Sequence, residues 1–371
     1  MKVLVTGGGT GGHFYPALTV MKSLHEEEVE HSICYLGTGK GLEAEIAPDY
    51  DWLDFRQITV TGLSRQSPWR FLKSLLLLPI GLLQTLAIII RFRPDVIYGT
   101  GGYTTFPPGF WGVLLRIPVL THELNLKPGV TNKILARFVT KVLTSYPETE
   151  KLLPAGNTET TGTPVRKEIT AGDASLTGES FGLKQDLPII LLFGGSKGSR
   201  PLIEKLIQEA KKRRNVDQLP FQFLVQTGSY NYSEFKDRIN GLDSEVLVPV
   251  EYIDEMGAAY RMSDLVICRG GAGTMAELVA AEKPAIIVPW SGASENHQYY
   301  NAKYLADHGA ALLVKEENWE DFPLFEELSE LLWRSDGLAK MSENYRGLDF
   351  GDGTKNVITA LKDTLSEGEL C

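Results

Sequence analysis

Val3-Leu4-Val5-Thr6-Gly7-Gly8-Gly9-Thr10-Gly11-Gly12-His13 begins as an apolar run, stops on glycines and restarts toward a helix. Three further runs do the same. Val96-Ile97-Tyr98 enters Gly99-Thr100-Gly101-Gly102-Tyr103, Ile189 to Phe193 enters Gly194-Gly195-Ser196-Lys197-Gly198, and Leu265 to Cys268 enters Gly270-Gly271-Ala272-Gly273-Thr274. A strand that ends in glycines and continues as a helix aims backbone N–H groups and the positive end of a helix dipole at one point, which suits an anion. Four such turns in two pairs predict a phosphorylated ligand handled between two similar halves.

Outward from these turns, short apolar runs alternate with longer helical patterns, the signature of βαβ units and a parallel sheet covered on both faces. Strands are expected near 2–6, 32–36, 95–98, 117–121 and 141–144, and again near 189–193, 222–226, 246–249, 264–268 and 285–289. The 371 residues exceed the size at which single cores stop growing, so two domains are expected. A hinge is placed near Gly162, dividing residues 1–163 from 164–340. The last helical pattern, about 345–365, with Asn356, Val357, Ala360 and Leu361 at helical spacing, fits either domain and is assigned to the first. The fold class is α/β.

A formal net charge of −10 excludes a broad basic face for nucleic acid, so an anionic ligand must be met locally. Cys34, Cys268 and Cys371 share no metal-like spacing, and a reducing cytoplasm fits them. Lys2-Val3-Leu4-Val5 is strand-like from the start and lacks the pattern of a signal peptide.

Residues 71–90 are unusually apolar, with Lys73 the sole charge. The roughly 17 uncharged residues after Lys73 are marginal for a membrane span, and Pro79, Gly81 and Gln84 interrupt them. Trp69, Arg70, Arg91 and Arg93 flank the stretch as they flank helices that lie on a bilayer. Peripheral attachment to an anionic membrane surface is therefore expected; the alternative is two helices packed in the core.

Gly7-x-Gly9-x-x-Gly12 matches the dinucleotide fingerprint, but the second strand runs into Gly37-Thr38-Gly39-Lys40 with no carboxylate at its tip to hold a ribose. Gly194 to Ser199 lacks the Walker spacing. The turn at 270–274 enters a strong helix former with Thr274 and Glu277 three residues apart on one face. Glu277 there either accepts two hydroxyls of a ribose whose diphosphate sits on the helix N-terminus, or merely complements the dipole. Asn296-His297-Gln298 with Asn301 clusters side chains that both donate and accept, as sugar recognition requires. Asp49-Tyr50-Asp51 has the form of a metal-binding pair but reads as a solvated turn.

Over nearly its whole length the chain resembles the MurG family of peptidoglycan N-acetylglucosaminyltransferases. The resemblance rests on Gly8-Gly9-Thr10-Gly11-Gly12-His13 with Pro16-Ala17-Leu18, Gly99 to Tyr103, and His122-Glu123-x-Asn125-x-x-Pro128-Gly129-x-Thr131-Asn132-Lys133. It continues through Gly162-x-Pro164-Val165-Arg166, Gly194-Gly195-Ser196-x-Gly198, Tyr252-Ile253-x-x-Met256, Cys268-Arg269 with Gly271-Ala272-x-Thr274-x-x-Glu277, and Asn296-His297-Gln298-x-x-Asn301-Ala302. It implies a GT-B fold, two Rossmann-like parallel-sheet domains facing a central cleft, with UDP-GlcNAc held mainly by the second domain and a lipid-linked acceptor, lipid I, by the first. It further implies Glu277 on the ribose, the Ile253 backbone on uracil, and Ser196 and Arg166 on the phosphates. His297 and Gln298 would read the GlcNAc hydroxyls, Asn125 would approach the donor sugar, and Thr10, Gly11 and Gly12 would face the cleft. Thr163, Leu124 and Gly273 depart from the family's usual Asn, Gln and larger residue.

The reaction so implied is an inverting displacement that forms lipid II at the cytoplasmic face of the membrane, with cell-wall synthesis or division proteins as partners. His13 is the candidate base, the alternative being a phosphate ligand; Glu123 is the reserve, its alternative being a structural partner near the strand end. The amides at Ala272, Gly273 and Thr274 with Arg166 can hold the leaving charge, so neither metal nor cofactor is expected. The rival functions are a transferase of the same architecture with another acceptor, and a silent nucleotide-sugar sensor.

Overall fold

The computed structural model describes residues 1–9, 11–62, 68–154, 156–171, 176, 178–184, 186–195, 197–213, 215–229, 231–242, 244–334, 336–348 and 351–368. The chain divides into two compact units, Met1–Val165 with Phe350–Cys371, and Arg166–Asp349. Each unit is built on its own parallel sheet.

The first sheet comprises β1 (Lys2–Thr6), β2 (Ser32–Gly37), β3 (Asp54–Gln57), β4 (Val96–Gly99), β5 (Val119–Glu123), β6 (Lys141–Thr144) and β7 (Thr158–Thr160). Its order is β3-β2-β1-β4-β5-β6-β7. In β1, Val3 pairs with Ile33 on one side and Val96 on the other. Successive side chains leave opposite faces of a strand, and here both faces are covered, which is why β1 is apolar without alternation. Val3 and Val5 meet Phe14, Val20 and Leu24 of α1 (Gly11–His25), with Val357 and Leu361 of the C-terminal helix Gly353–Gly368 in the same core. Leu4 lies in the other core with Cys34, Ile97 and Val119. Asn356 donates to the carbonyl of Thr161 at 3.0 Å, and Lys362 pairs with Glu27 at 2.8 Å, fixing that last helix to the first unit.

This unit also contains the short α2 (Leu42–Ile46), α3 (Pro68–Phe92) and α4 (Phe106–Leu114), with α5 (Val130–Leu135) next to α4. The apolar stretch is one helix of 25 residues running through Pro79, where a break into two was the alternative. Over most of its length its amphipathicity is inverted, whereas Ile89 near its end is buried with Ile97 and Val119. Ser74 and Thr85 are buried and Gln84 is half-buried, while Trp69, Leu75, Leu76 and Leu83 are exposed. Ser74 donates to the carbonyl of Gly62 at 3.0 Å, and Gln84 accepts from the Thr59 amide at 2.7 Å. A Cβ on Gly81 would stand 2.3 Å from Cγ1 of Val60, so glycine is what lets this side of the helix close on the 59–62 segment.

The second sheet comprises β8 (Ile189–Phe193), β9 (Gln222–Gln226), β10 (Leu247–Val250), β11 (Leu265–Cys268), β12 (Ala285–Ile287) and β13 (Ala311–Leu313), in the order β10-β9-β8-β11-β12-β13. Its core joins Ile190, Leu192, Phe223 and Ile267 to Leu202 and Leu206 of the helix Arg200–Lys211 and to Phe325. Both sheets wind alike: the first strand is central, the next two go to one side and the following ones to the other. Where that direction reverses, between β1 and β4 and between β8 and β11, adjacent connections leave in opposite directions and open a crevice at the carboxyl ends of the strands. The four glycine turns occupy these two switch points, two to each.

Candidate active site

At the first switch point, the β1 turn is bound from below. The Gly8 amide donates to Oγ1 of Thr104 at 2.9 Å, the Tyr35 hydroxyl donates to the Gly7 carbonyl, and the Gly9 amide lies 3.3 Å from Oε2 of Glu43. Gly7 (φ +152) has no room for a side chain: a Cβ would stand 1.7 Å from Oγ1 of Thr100. Thr10 lies outside the described residues. Beyond it, Gly11, Gly12 and His13 supply the first amides of α1, groups that no intrahelical carbonyl can satisfy.

His13 is half-buried against the β4 turn. Its Nδ1 lies 2.8 Å from the carbonyl of Thr100, whose Oγ1 in turn donates to the His13 carbonyl at 2.8 Å. A carbonyl only accepts, so Nδ1 carries the hydrogen, and in the neutral ring Nε2 is the acceptor. The glycines of the β4 turn admit the ring: Cβ atoms on Gly101 and Gly102 would lie 3.3 Å from Cε1 and 3.5 Å from Cδ2 of His13.

Glu123, at the end of β5, is buried and receives four donors. Oε1 accepts from the amide and the side chain of Asn125 at 3.0 and 3.1 Å, and Oε2 accepts from the Gly129 amide at 2.9 Å and Nδ2 of Asn132 at 2.8 Å. A carboxylate so engaged is a structural partner that orients Asn125, the role first weighed against that of reserve base. His122 beside it is fully buried, its Nδ1 2.9 Å from the Tyr98 hydroxyl, and burial lowers its imidazole to about 3.

At the second switch point, Glu277 projects from the helix Ala272–Ala281 and accepts from Nη2 of Arg166 at 3.0 Å and from the Tyr260 hydroxyl at 3.1 Å. Arg166, expected on phosphates, is thus drawn to the expected ribose ligand. Each carboxylate oxygen still has a second acceptor direction for a hydroxyl. Gly271 stands at the N-cap and supplies no side-chain cap, so the amides of Ala272, Gly273 and Thr274 have no such partner. Nothing lies within 4 Å of a Cβ built on Gly273, so the larger residue usual there would fit.

Ile253, expected to meet uracil through its backbone, gives its N–H to Oε1 of Gln226 at 3.0 Å, leaving its carbonyl as the group that suits an imide N–H. Gln298 accepts the Trp290 amide on Oε1 at 2.9 Å, which fixes the amide plane and turns its NH2 away from Trp290. Nδ1 of His297 lies 2.6 Å from the Ser294 carbonyl. Glu295 and Asn296 immediately before them adopt φ of 50° and 57°, a costly conformation for residues with side chains and one concentrated at functional loops. Ser196 lies outside the described residues.

Three residues here escaped the sequence reading, Glu43, Gln226 and Tyr260, and Arg269, present there within Cys268-Arg269, was given no role. Arg269 is buried, donating to Ser199 at 3.0 Å and to the Val288 carbonyl at 3.0 Å while pairing with Glu316 at 2.6 Å. It ties the loops after β8, β11 and β12 to one point. Asp49 and Asp51 are both exposed, before β3. The nearest carboxylate beyond β2 is Glu43 in α2, fully buried against Thr38 and Gly9, and it presents nothing to a dinucleotide ribose.

Residues 3–144 match the N-terminal domain of glycosyltransferase family 28 and residues 189–357 its C-terminal domain. The UDP-N-acetylglucosamine–N-acetylmuramyl-(pentapeptide) pyrophosphoryl-undecaprenol N-acetylglucosamine transferase of Desulforamulus reducens is 36% identical over 371 residues, covering 98% of this chain and 99% of its own. The crystal structure of Acinetobacter baumannii MurG superposes with a TM-score of 0.74 at 28% identity, covering 98% of this chain and 99% of that one. A UDP-GlcNAc 2-epimerase from Neisseria meningitidis, bound to UDP-GlcNAc, reaches a TM-score of 0.66 at 15% identity over 98% of this chain and 100% of its own, a likeness of fold alone. Two parallel-sheet α/β domains with glycine turns at both switch points define a GT-B glycosyltransferase of family 28. Within that class, the chain belongs to the MurG family of N-acetylglucosaminyltransferases.

Proposed function

We infer that the chain transfers GlcNAc from UDP-GlcNAc to the C4 hydroxyl of the MurNAc of undecaprenyl-pyrophosphoryl-MurNAc-pentapeptide, lipid I, and so forms lipid II. The muramyl oxygen attacks the anomeric carbon, the bond from that carbon to the UDP oxygen breaks with inversion, and the hydroxyl proton passes to Nε2 of His13. The observation that carries this reading is the bond from Nδ1 of His13 to the Thr100 carbonyl, which sets the tautomer whose Nε2 accepts a proton. In the 164–340 domain, the amides of Ala272 to Thr274 and Arg166 take up the leaving diphosphate charge, Glu277 the ribose, the Ile253 carbonyl the uracil, and His297 and Gln298 the sugar hydroxyls. In the 1–163 domain, the turn at Gly11 and Gly12 receives the acceptor diphosphate, and Asn125, its side chain held by Glu123, is the residue assigned to the donor sugar.

On this reading the same domain attaches the enzyme peripherally to the cytoplasmic face of the membrane. The outer side of α3 exposes Phe71, Leu72, Leu75, Leu76, Ile80 and Leu83; Phe110 and Leu114 of the adjoining α4 are exposed too. Lys73, Arg91, Arg93 and Arg116 are exposed in and around these helices. An apolar surface with basic neighbours fits an anionic bilayer.

The test is transfer of labelled GlcNAc from UDP-GlcNAc to a short-chain lipid I by the wild type and His13→Ala. His13→Ala should lower kcat by about 10²- to 10⁴-fold and leave KM for UDP-GlcNAc nearly unchanged. Equal loss of turnover and donor affinity would contradict the base assignment, and a wild type that yields no disaccharide would overturn the function.

A further inference from the structure

Glu43 is the most unusual charge in the first unit. Its side chain is fully buried, and among the described residues no lysine, arginine or histidine pairs with it. What it has instead is three donors: the Thr38 amide at 3.1 Å and hydroxyl at 3.0 Å on Oε1, and the Gly9 amide at 3.3 and 3.4 Å from its two oxygens. Burying a carboxylate without a cation is costly, and donors offset that cost only while their geometry is kept.

The surrounding glycines are cut to its shape. A Cβ on Gly8 would stand 2.5 Å from Oε1, one on Gly37 2.7 Å from Cγ, and one on Gly41 2.0 Å from Oε2. Gly37 ends β2 and Gly41 immediately precedes α2, while Gly8 lies in the turn itself. Leu42, the preceding residue of α2, completes the support: its Cδ2 would lie 3.4 Å from a Cβ on Gly11, the first residue of α1. A helix of five residues thus props the turn at two points, one polar at Gly9 and one apolar at Gly11.

We propose that Glu43 is a positioning residue for the acceptor diphosphate: by accepting the Gly9 N–H from behind, it fixes the turn so that the amides beginning at Gly11 stand as preorganised donors. The proposal rests on the acceptor reading of this turn given above. Gly9 (φ +93) occupies a backbone region open to glycine, so without a partner for its amide the turn has many conformations to lose on binding. Glu43 acts through Gly9 and does not touch substrate. Its own charge opposes a diphosphate, so its net effect on the acceptor has a definite sign that an experiment can read.

Glu43→Gln keeps the volume and removes the charge. With its oxygen on Thr38, its NH2 group would face the Gly9 N–H, donor against donor. In the transfer assay KM for short-chain lipid I should rise about tenfold, while KM for UDP-GlcNAc stays within about twofold, the change expected for one buried bond. Glu43→Asp, which keeps the charge but falls a methylene short, should lie between. Thr38→Val, which removes one donor and leaves the carboxylate, should shift the acceptor KM the same way by less. An acceptor KM that is unchanged or falls in Glu43→Gln would overturn the proposal, as would equal rises for both substrates, the mark of a role in folding alone; should that variant not fold, the Thr38→Val shift decides in the same sense. A wild type inactive on lipid I would overturn the acceptor reading first and this proposal with it, so the two failures are distinguishable.

Discussion

His122 sits at the end of β5, fully buried, with Nδ1 on the Tyr98 hydroxyl and Nε2 3.4 Å from Oγ of Ser145. Burial, partly opposed by a backbone hydrogen bond at Gly162, lowers the imidazole from 6.5 to about 3. Between those values the unfolded chain takes up a proton that the folded protein refuses, so stability falls as pH drops through that window and is unaffected above it. The slope from one such group approaches about 1.4 kcal/mol per pH unit. Urea melts should therefore show the wild type losing about 1–2 kcal/mol more between pH 7 and pH 5 than His122→Gln, which cannot titrate. Parallel pH profiles for the two proteins would contradict this. At the same scale, Glu277 was legible because it shares one helix turn with Thr274, a spacing that a sequence displays. Its partners Arg166 and Tyr260 were not legible as partners, because only the tertiary fold brings Arg166 within 3.0 Å across 111 positions. Glu43 and Gln226 were missed for the same reason: each bonds a backbone amide, Gly9 or Ile253, and a backbone amide leaves no trace in residue identity.

At the scale of elements, the ten expected strands correspond to β1, β2, β4 to β6 and β8 to β12, each within one residue except β5, shifted by two, and β12, which ends two residues early. The three unforeseen strands, β3 (Asp54–Gln57), β7 (Thr158–Thr160) and β13 (Ala311–Leu313), all lie at sheet edges. An edge strand needs neither length nor two apolar faces, and Thr-Glu-Thr carries no hydrophobic signal at all. α3 was ambiguous for the opposite reason: its composition is apolar all round, and tertiary contacts such as the bonds of Ser74 and Gln84 reveal which side faces the protein. The helix Ala272–Ala281 allows a sharper forecast. Gly273 is its second residue, and the open space around it means that Ala adds no clash while restricting the unfolded chain. Gly273→Ala should stabilise by up to about 0.5–1 kcal/mol and raise the thermal midpoint by about 1–4 °C. A lower midpoint would show that the backbone there needs glycine after all.

For the molecule as a whole, a net charge of −10 repels an anionic bilayer, yet the proposed attachment requires one. The conflict resolves by range. Repulsion from distant carboxylates decays over a Debye length of about 10 Å at 0.1 M salt, whereas Lys73, Arg91, Arg93 and Arg116 would sit at the headgroups, each contributing about 1 kcal/mol. The exposed apolar side chains add burial that salt does not screen. Length alone permits a different outcome, because Phe71–Phe92 is apolar enough to cross a membrane and its 22 residues span about 33 Å as helix. Crossing would strip the helix from the protein, breaking the bonds of Ser74 to Gly62 and Gln84 to Thr59 and that from the Trp111 indole to the Leu82 carbonyl at 2.8 Å. The helix is therefore expected to lie flat on the surface. Phosphatidylglycerol vesicles should sediment the wild type at low salt and release most of it, without detergent, as NaCl rises to about 0.5 M, where the screening length is only a few Å. Leu76→Asp with Leu83→Asp, both outward-facing, should abolish sedimentation and leave the fold intact. Protein that only detergent extracts would establish a span, and undiminished sedimentation of the double variant would move the attachment to another face.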